Sequence, residues 1–354
     1  MQEMLICSPG RVNIIGEHTD YSFGYVMPMA INLYTFLEGE PWDKVELYSE
    51  AFNSREVFSP HALKKRGKWV DYVQGIFWVL KEYGYEVSGL QGRIYGNLPI
   101  GAGLSSSASL ELAVMEFLNE AYSLNIGRME MAKMAREAEN NFVKVPCGIM
   151  DQMAISLGRE GHAIFIETEN LKCEYVPIPP ELYILIFDTG VKRALASSAY
   201  QERKMLVEEA LKKLGKKSSK YLDEKELGKL NGIERKRLGY IIRENCRVLE
   251  ARDALRAGDV EKLGKILTDA HHDVAENFDV SCEELDFFVN LALKCGALGA
   301  RLTGAGFGGS AIGLFLQNPE HCAREILKEY RKKFMHNAKY YIVRASEGVK
   351  RCMD

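Results

Sequence analysis

The segment that most constrains the fold of this chain is residues 99–109, with the sequence PIGAGLSSSAS. A strand-like stretch (90–96) precedes it, and apolar residues then recur over 110–121 with the spacing of one helix face. Gly101 and Gly103 permit a tight turn, while the unpaired N–H groups and the dipole of the helix start attract anions. The order of strand, glycine loop and helix therefore predicts an anion site that suits a triphosphate.

The same pattern also fits a plain turn followed by a helix that Ser105, Ser106 or Ser107 caps. It departs from the P-loop pattern because no lysine follows the glycines, and from G-x-G-x-x-G because position 106 is serine. If phosphate binds here, backbone amides and hydroxyl groups must make most of the contacts, together with a metal ion held by a serine. The residues alone leave both interpretations open.

A second concentration of polar side chains lies near the N-terminus, in the sequence GRVNIIGEHTDY. Arg11, Glu17, His18 and Asp20 stand within ten residues, and the apolar residues between them indicate an anchored segment. Carboxylates accept hydrogen bonds from neighbouring hydroxyl groups and histidine can donate or accept, so the segment suits a hydroxyl-rich ligand. A surface turn with internal ion pairs is the alternative.

These two segments and a third, LTGAGFGGS at 302–310, resemble the three motifs of the GHMP small-molecule kinases in order and spacing. The N-terminal segment is similar to the signature of the galactokinases within that family, and the likeness covers nearly the whole chain. It implies an α+β fold with a ribosomal-protein-S5-domain-2-like first lobe (1–178), a ferredoxin-like second lobe (179–354) and an active site between them. Periodicity alone supports only a mixture of helices and strands.

The resemblance implies a galactokinase, which transfers a phosphoryl group from ATP to the C1 hydroxyl of α-D-galactose in the first step of the Leloir pathway. The alternatives are a kinase for a related hexose such as N-acetylgalactosamine, and a galactokinase-like sensor that binds sugar and ATP without turnover. Such sensors tend to lose residues of the serine loop. Because these serines and Asp151 are present here, we favour the enzyme.

The resemblance also assigns residues to a sugar site and to catalysis. Asp151 is the expected base and Arg11 its neighbour beside the reacting hydroxyl, although an aspartate near a helix start is by default a partner of the helix dipole. The expected sugar-binding residues are Glu17, His18, Thr19, Asp20, Gly148, Asp151 and Tyr200.

ATP and Mg²⁺ are the expected co-substrate and metal. By resemblance, Glu139 and Ser107 hold the metal ion; by spacing alone, Glu139 lies beside the buried stripe of a predicted helix (128–142), where a structural ion pair is the more common role. Hard oxygen ligands together with phosphate oxygens suit Mg²⁺. The expected ATP-binding residues are Gly101, Ala102, Gly103, Leu104, Ser105, Ser106 and Ser107.

Composition argues against several other classes of function. A net charge of −3 and a hydrophobic content of 47% give no reason to expect nucleic-acid or membrane binding. No apolar run is as long as a membrane span, and no signal-peptide pattern is present. The eight cysteines lack a C-x-x-C pair, which predicts reduced thiols in a cytoplasmic protein and argues against zinc or a disulfide framework. We expect a monomer or weak homo-oligomer whose partners are galactose and ATP.

The pattern predicts three further local features. A short strand over 4–7 should end in a turn at Pro9 and Gly10, because both residues favour turns. Residues 214–237 are rich in lysine and glutamate, which indicates a solvated helical surface. Two helices should fill 243–279, separated by a turn at 257–259.

Overall fold

A computed structural model describes residues 3–191 and 196–352 of the chain, and its strands form two sheets. The strands are β1 (Met4–Ile15), β2 (Tyr25–Trp42), β3 (Val45–Ser49), β4 (Ser54–Phe58), β5 (Gly89–Gly96), β6 (His162–Glu167), β7 (Lys172–Pro177), β8 (Tyr183–Asp188), β9 (Gly299–Thr303), β10 (Ser310–Phe315), β11 (Lys339–Val343) and β12 (Lys350–Cys352). The helices are α1 (Val70–Glu82), α2 (Ser106–Ala121), α3 (Arg128–Glu137), α4 (Met150–Leu157), α5 (Ala196–Lys213), α6 (Gly232–Arg256), α7 (Val260–Asp273), α8 (Glu283–Lys294) and α9 (Glu320–Lys333).

The larger sheet has the strand order β12-β1-β2-β5-β3-β4, and β6 and β7 extend it from the start of β2. Helix α2 packs on β1 and β2, and helices α1 and α3 pack on α2. Leu37 and Leu47 of the sheet belong to one buried apolar cluster with Ile76 of α1 and Phe117 of α2. Burial of these apolar side chains stabilises the layer of helices on the sheet.

The smaller sheet has the order β11-β8-β10-β9 and is antiparallel throughout. Helices α7 and α8 pack on β9, and α9 packs on α8 and β11. A shared apolar cluster joins the two sheets, with Val12 and Ile14 of β1 beside Ile312 of β10 and Val248 of α6. The two lobes therefore meet through a packed core, and segments from both reach the same place.

Most expected elements are present, but the N-terminal strand is longer than predicted. It continues through Pro9 and Gly10 to Ile15, with a register shift against β2 between these two residues in place of the expected turn. A shift of this kind is a local irregularity within a continuing ladder. The signature segment therefore begins inside a sheet, and this fixes the direction of its side chains.

Residues 214–237 do not form the solvated helix that their charge indicates. They contain a single 3₁₀ turn (Glu224–Lys229) and the start of α6, and the side chains of Leu222, Leu227 and Leu230 are buried in the second lobe. These leucines do not recur at the helical period, so the sequence does not mark them as buried. The prediction of a solvated surface therefore rested on the charged residues. The two helices predicted beyond them, α6 and α7, are confirmed with their turn at 257–259.

The prediction of reduced thiols without disulfides is wrong for four cysteines. A Cys7–Cys352 disulfide joins β1 to β12, and a Cys295–Cys322 disulfide joins the end of α8 to α9. Sequence separations of 345 and 27 residues gave no local pattern to recognise. Pairing of the first and last strands brings the first two cysteines together, and helix packing brings the second two.

Candidate active site

Three segments meet at the junction of the lobes: the signature segment (10–21), the glycine–serine loop (101–107) and the third glycine segment (302–310). The Asn13 N–H donates to Thr303 Oγ1 at 3.0 Å, and the Thr303 hydroxyl donates to the Asn13 carbonyl at 2.9 Å. The Ser310 hydroxyl donates to the Ala102 carbonyl at 2.7 Å. The third glycine segment is thus bonded to both other segments.

Arg11 lies in β1 and reaches the other parts of the site through four hydrogen bonds. Its Nε donates to Asp151 Oδ1 at 2.7 Å, and its Nη2 donates to Asp151 Oδ2 at 2.9 Å. Its Nη1 donates to the Gly103 carbonyl at 2.7 Å, and its backbone N–H donates to the Leu104 carbonyl at 3.2 Å. A two-bond guanidinium–carboxylate pair fixes orientation as well as distance. Arg11 therefore holds Asp151 and the glycine–serine loop in one arrangement.

Asp151 is the second residue of α4 and is more accessible than its partner. Its side chain is 30% exposed, whereas the side chain of Arg11 is 7% exposed. The Ser105 hydroxyl also donates to Asp151 Oδ2. The structure thus brings the expected base and its expected neighbour into direct contact at an open surface of the site.

Asp20 and Gly148 lie against each other, and the charge of Asp151 acts on Asp20. A Cβ atom at Gly148 would overlap the Asp20 carboxylate, so only glycine fits there without a shift. Burial and the nearby negative charge of Asp151 raise the pKa of Asp20 to about 6. Carboxylate oxygens accept hydrogen bonds from hydroxyl groups, so Asp20 and Asp151 suit a ligand with several hydroxyl groups.

His18 follows the strand in a left-handed backbone conformation, with φ of 64°. Its Nε2 lies 3.0 Å from the Ala305 carbonyl, and its Nδ1 lies 3.0 Å from the Tyr21 hydroxyl. Burial lowers the pKa of His18 to about 4, so the ring is neutral at pH 7. A carbonyl can only accept, so Nε2 carries the proton and Nδ1 accepts from the Tyr21 hydroxyl. The ring links the signature segment to the third glycine segment.

Glu17 belongs to a buried charge cluster that the sequence analysis did not identify. Arg301 of β9 contacts Glu17 on one side and Glu244 of α6 on the other, and none of the three side chains is more than 1% exposed. Glu244 also accepts from the N–H of Gly16 at 3.0 Å. Burial raises the pKa of Glu17 to about 7, whereas the pKa of Glu244 is lowered despite burial because Arg301 and Arg247 lie beside it.

Thr19 and Tyr200 differ in where they point. The Thr19 side chain is fully buried, and its hydroxyl donates within the turn to the Gly16 carbonyl at 2.9 Å. Tyr200, near the start of α5, packs against the ring of His18 with a centroid distance of 5.4 Å. Thr19 therefore stabilises the signature turn from its buried side, while Tyr200 places an aromatic ring beside His18.

The glycine–serine loop has the conformation that its glycines allow. Gly101 and Gly103 have φ of 79° and 77°, values that favour glycine. Helix α2 begins at Ser106, and both Ser106 and Ser107 are partly exposed. The start of α2 therefore follows the glycine turn directly, and its first side chains are accessible.

Glu139 lies in a short π-helical turn (Ala138–Val143) that continues α3. Gln152 Nε2 donates to Glu139 Oε2 at 2.9 Å. The Ser107 side chain lies within hydrogen-bonding reach of the Glu139 carboxyl group and acts to lower its pKa. Burial and the charge of Asp151 raise the pKa of Glu139 to about 7, and burial raises that of the adjacent Glu111 well above its ordinary range. The structure therefore brings the two expected metal ligands, Ser107 and Glu139, together.

An aromatic cavity of about 330 Å³ opens beside the glycine–serine loop. Phe52 and Trp69 stack at its wall with ring planes 4° apart, and Ser106 and Ser107 line its inner end. No local pattern in the sequence indicates this cavity, because its walls come from loops, two helices and three strands that are far apart in the chain. Its other aromatic walls are Tyr34, Tyr72 and Tyr95.

Two family models and a solved structure define the class of protein to which this chain belongs. Residues 71–159 match the model of the GHMP kinase N-terminal domain, and residues 251–334 match that of the GHMP kinase C-terminal domain. Mevalonate kinase from Methanococcus jannaschii, 22% identical, shares the fold with a TM-score of 0.72 over 98% of this chain and 99% of that one. The chain is a GHMP kinase, and the two-lobed α+β fold expected from the sequence is confirmed.

Closer comparisons narrow the class to one family. Residues 1–41 match the galactokinase galactose-binding signature. The galactokinase of Thermococcus kodakarensis is 60% identical over 98% of this chain and 99% of its own, and that of Pyrococcus furiosus is 57% identical over 99% of each. The Lactococcus lactis galactokinase complexed with galactose, 34% identical, superposes with a TM-score of 0.93 over 99% of this chain and 95% of that one. The chain belongs to the galactokinase family.

Within 3–191 and 196–352, no helix is long and apolar enough to cross a bilayer. In the same ranges, no group of three or more His, Cys, Asp or Glu side chains is arranged to hold a metal ion. A magnesium ion that takes two protein oxygens, with phosphate and water oxygens completing its shell, does not need such a group.

Proposed function

We propose that this protein transfers the γ-phosphoryl group of ATP to the C1 hydroxyl of α-D-galactose, giving galactose 1-phosphate and ADP. The observation that carries the proposal is the position of Arg11, which joins the signature segment to Asp151 of α4 by two hydrogen bonds and to the glycine–serine loop through the Gly103 carbonyl. We propose that the carboxylate held at that junction lies between the sugar and the phosphates. Such placement supplies the alignment on which phosphoryl transfer depends.

The proposed sugar site lies around Asp20, Gly148 and Asp151, with Tyr200 as one wall. The two carboxylates accept from sugar hydroxyl groups, and the absent side chain of Gly148 leaves room for the Asp20 carboxylate. His18 and Glu17 already have protein partners, so we propose that they hold the shape of the pocket as well as contact sugar. A site built to bond a particular hydroxyl discriminates strongly against an epimer.

The proposed nucleotide site combines the aromatic cavity with the helix start. Adenine stacks in the cavity near Trp69 and Phe52, and the phosphates extend along Gly101–Ser107 to the N–H groups of α2. Stacking on an aromatic ring and anion binding at a helix start are common modes of recognition for these two parts of a nucleotide.

The residues at the expected metal site fit Mg²⁺. Ser107 offers a hydroxyl oxygen and Glu139 a carboxylate oxygen, and Gln152 orients that carboxylate from behind. We propose that Ser107 and Glu139 hold Mg²⁺, which when bound neutralises charge on the β- and γ-phosphates. Arg11 adds a fixed positive charge near the transferring group and keeps the Asp151 carboxylate aligned to receive the proton of the C1 hydroxyl.

The test is a sugar panel with purified protein, ATP and Mg²⁺, in which ³¹P NMR identifies the product. We expect a sugar 1-phosphate from galactose and a much lower kcat/KM for glucose, which differs at C4 only. Comparable turnover of glucose would overturn the sugar assignment, and faster turnover of N-acetylgalactosamine would reassign the substrate. Galactose binding without ADP release would indicate the sensor. A cytoplasmic location and a monomeric or weakly associating state stay predictions.

A further inference from the structure

We infer that Ser105 positions the Asp151 carboxylate and is not a ligand of the ATP phosphates. The inference rests on the proposed function, in which Asp151 accepts the proton of the C1 hydroxyl. It separates Ser105 from Ser106 and Ser107, although the three serines are adjacent and the family resemblance treats them as one loop. Three observations carry it.

The backbone of Ser105 is the first observation. Its φ is 61°, in the left-handed region, where the loop otherwise places Gly101 and Gly103. A side chain in that region costs free energy relative to glycine. A serine in a position suited to glycine indicates that its hydroxyl makes an interaction that offsets this cost.

The second observation is a cap that is missing. Ser105 occupies the N-cap position of α2, where serine usually accepts a hydrogen bond from an N–H group of the first turn. Its side chain makes no such bond. The hydroxyl instead donates across the site to Asp151 Oδ2. The N–H groups of the first turn are thus left for an anion, and Ser105 contributes to the carboxylate.

The third observation concerns the two oxygens of Asp151. Oδ2 accepts from Arg11 Nη2 and from the Ser105 hydroxyl, which fills its two lone pairs. Among the described residues, Oδ1 accepts from Arg11 Nε alone and keeps one lone pair for a further bond. Ser105 therefore makes the two oxygens unequal, and Oδ1 is the atom left to face the sugar.

In the reaction, the C1 oxygen forms a bond to the γ-phosphorus while its proton moves to Asp151 Oδ1. The bond from the γ-phosphorus to the β–γ bridging oxygen breaks, and its electron pair leaves with ADP. Without the Ser105 bond, the carboxylate has a free lone pair on both oxygens and less restraint on its plane. Misalignment of a reacting group lowers kcat more than it weakens substrate binding.

The test is Ser105→Gly, which removes the hydroxyl and suits the backbone conformation, with Ser106→Ala as the matched variant in the same loop. For Ser105→Gly we expect kcat to fall about ten-fold or more, with the KM for ATP within about two-fold of wild type. The midpoint of thermal unfolding should be equal or higher, since the glycine relieves strain. For Ser106→Ala we expect the opposite result: the KM for ATP should rise more than kcat falls.

A raised KM for ATP with unchanged kcat in Ser105→Gly would overturn the inference and return Ser105 to the phosphate site. A double variant supplies a second test, because Ser105→Gly should cost no further kcat in an Asp151→Asn background if it acts through that carboxylate. An additive loss would also overturn the inference. If the wild-type protein does not phosphorylate galactose, the proposed function fails, and that result is distinct from both outcomes.

Discussion

The carboxylate of Asp20 occupies the space that a side chain of residue 148 would fill. A Cβ atom built on Gly148 overlaps Asp20 Oδ2, and the next nearest atoms also belong to Asp20. The contact joins the signature segment to the loop before α4, two parts of the chain that both carry expected sugar-binding residues. The position of one carboxylate thus depends on the absence of a side chain on another segment.

Gly148→Ala should displace Asp20 and weaken sugar binding selectively. We expect the KM for galactose to rise about ten-fold or more, since a site that bonds hydroxyl groups is sensitive to their placement, with the KM for ATP nearly unchanged. Steady-state kinetics with each substrate varied in turn checks this. Gly127→Ala is a matched control in the same lobe, because its Cβ would meet nothing within 4 Å and its φ of −71° suits alanine. An unchanged KM for galactose in Gly148→Ala would remove Asp20 from the sugar site.

Asp20→Asn should stabilise the protein while it weakens galactose binding. The pKa of Asp20 is about 6 in the folded protein, against an ordinary value of 3.8, chiefly because of burial. Between these values the folded protein holds a proton that the unfolded chain has lost, so this group lowers stability as pH rises from about 4 to 6. At pH 7 the loss is complete and amounts to roughly 2–3 kcal/mol.

Urea denaturation without sugar, at pH 4 and at pH 7, measures this effect. The gain in the free energy of unfolding for Asp20→Asn should be present at pH 7 and small at pH 4. Equal gains at the two pH values would show that charge is not its cause. A parallel loss of galactose and ATP binding would indicate misfolding and not the loss of a sugar ligand.

Asp151→Asn should separate proton acceptance from sugar binding. The amide keeps the size of the carboxylate but cannot accept a proton as readily, so kcat should fall by about 10²-fold or more. Galactose should still bind, which calorimetry of the variant with sugar would measure. Near wild-type kcat would make Asp151 an anchor only and leave catalysis to Arg11, the metal and the glycine–serine loop.

Glu139→Gln should raise the Mg²⁺ concentration needed for half-maximal activity and lower kcat, because a neutral amide binds Mg²⁺ more weakly than a carboxylate. Titration of Mn²⁺ into the ATP complex, followed by electron paramagnetic resonance, gives a readout independent of turnover. Glu137→Gln, two residues earlier and bonded to Tyr83 at 3.0 Å, is the control. Identical metal titrations for wild type and Glu139→Gln would leave Glu139 with a structural role.

Arg301→Met should destabilise the fold more than most single substitutions. It leaves Glu17 and Glu244 buried without their shared cation, a change that typically costs about 3–5 kcal/mol. Arg301→Lys keeps the charge and should recover part of that stability. Urea denaturation of wild type and both variants measures whether stability falls in the order wild type, Arg301→Lys, Arg301→Met. Equal stability of Arg301→Met and wild type would mean that the cluster contributes no net stability.

The sequence determined the three chemical segments and their local form. Glycines at 101 and 103 adopt the left-handed conformation that only glycine takes readily, and helix α2 follows at once because its apolar residues recur at the helical period. These features depend on residues that are close together in the chain, so they can be predicted from the sequence alone.

Only the tertiary structure decided which groups face one another across the site. Arg301 reaches Glu17 and Glu244, Ser105 bonds Asp151 in place of its own helix, and Cys7 meets Cys352, because strand pairing and lobe packing close these distances. The aromatic cavity likewise has walls from separate elements. Contacts between residues far apart in the chain leave no periodic or local trace in a single sequence, since their geometry exists only once the core has packed.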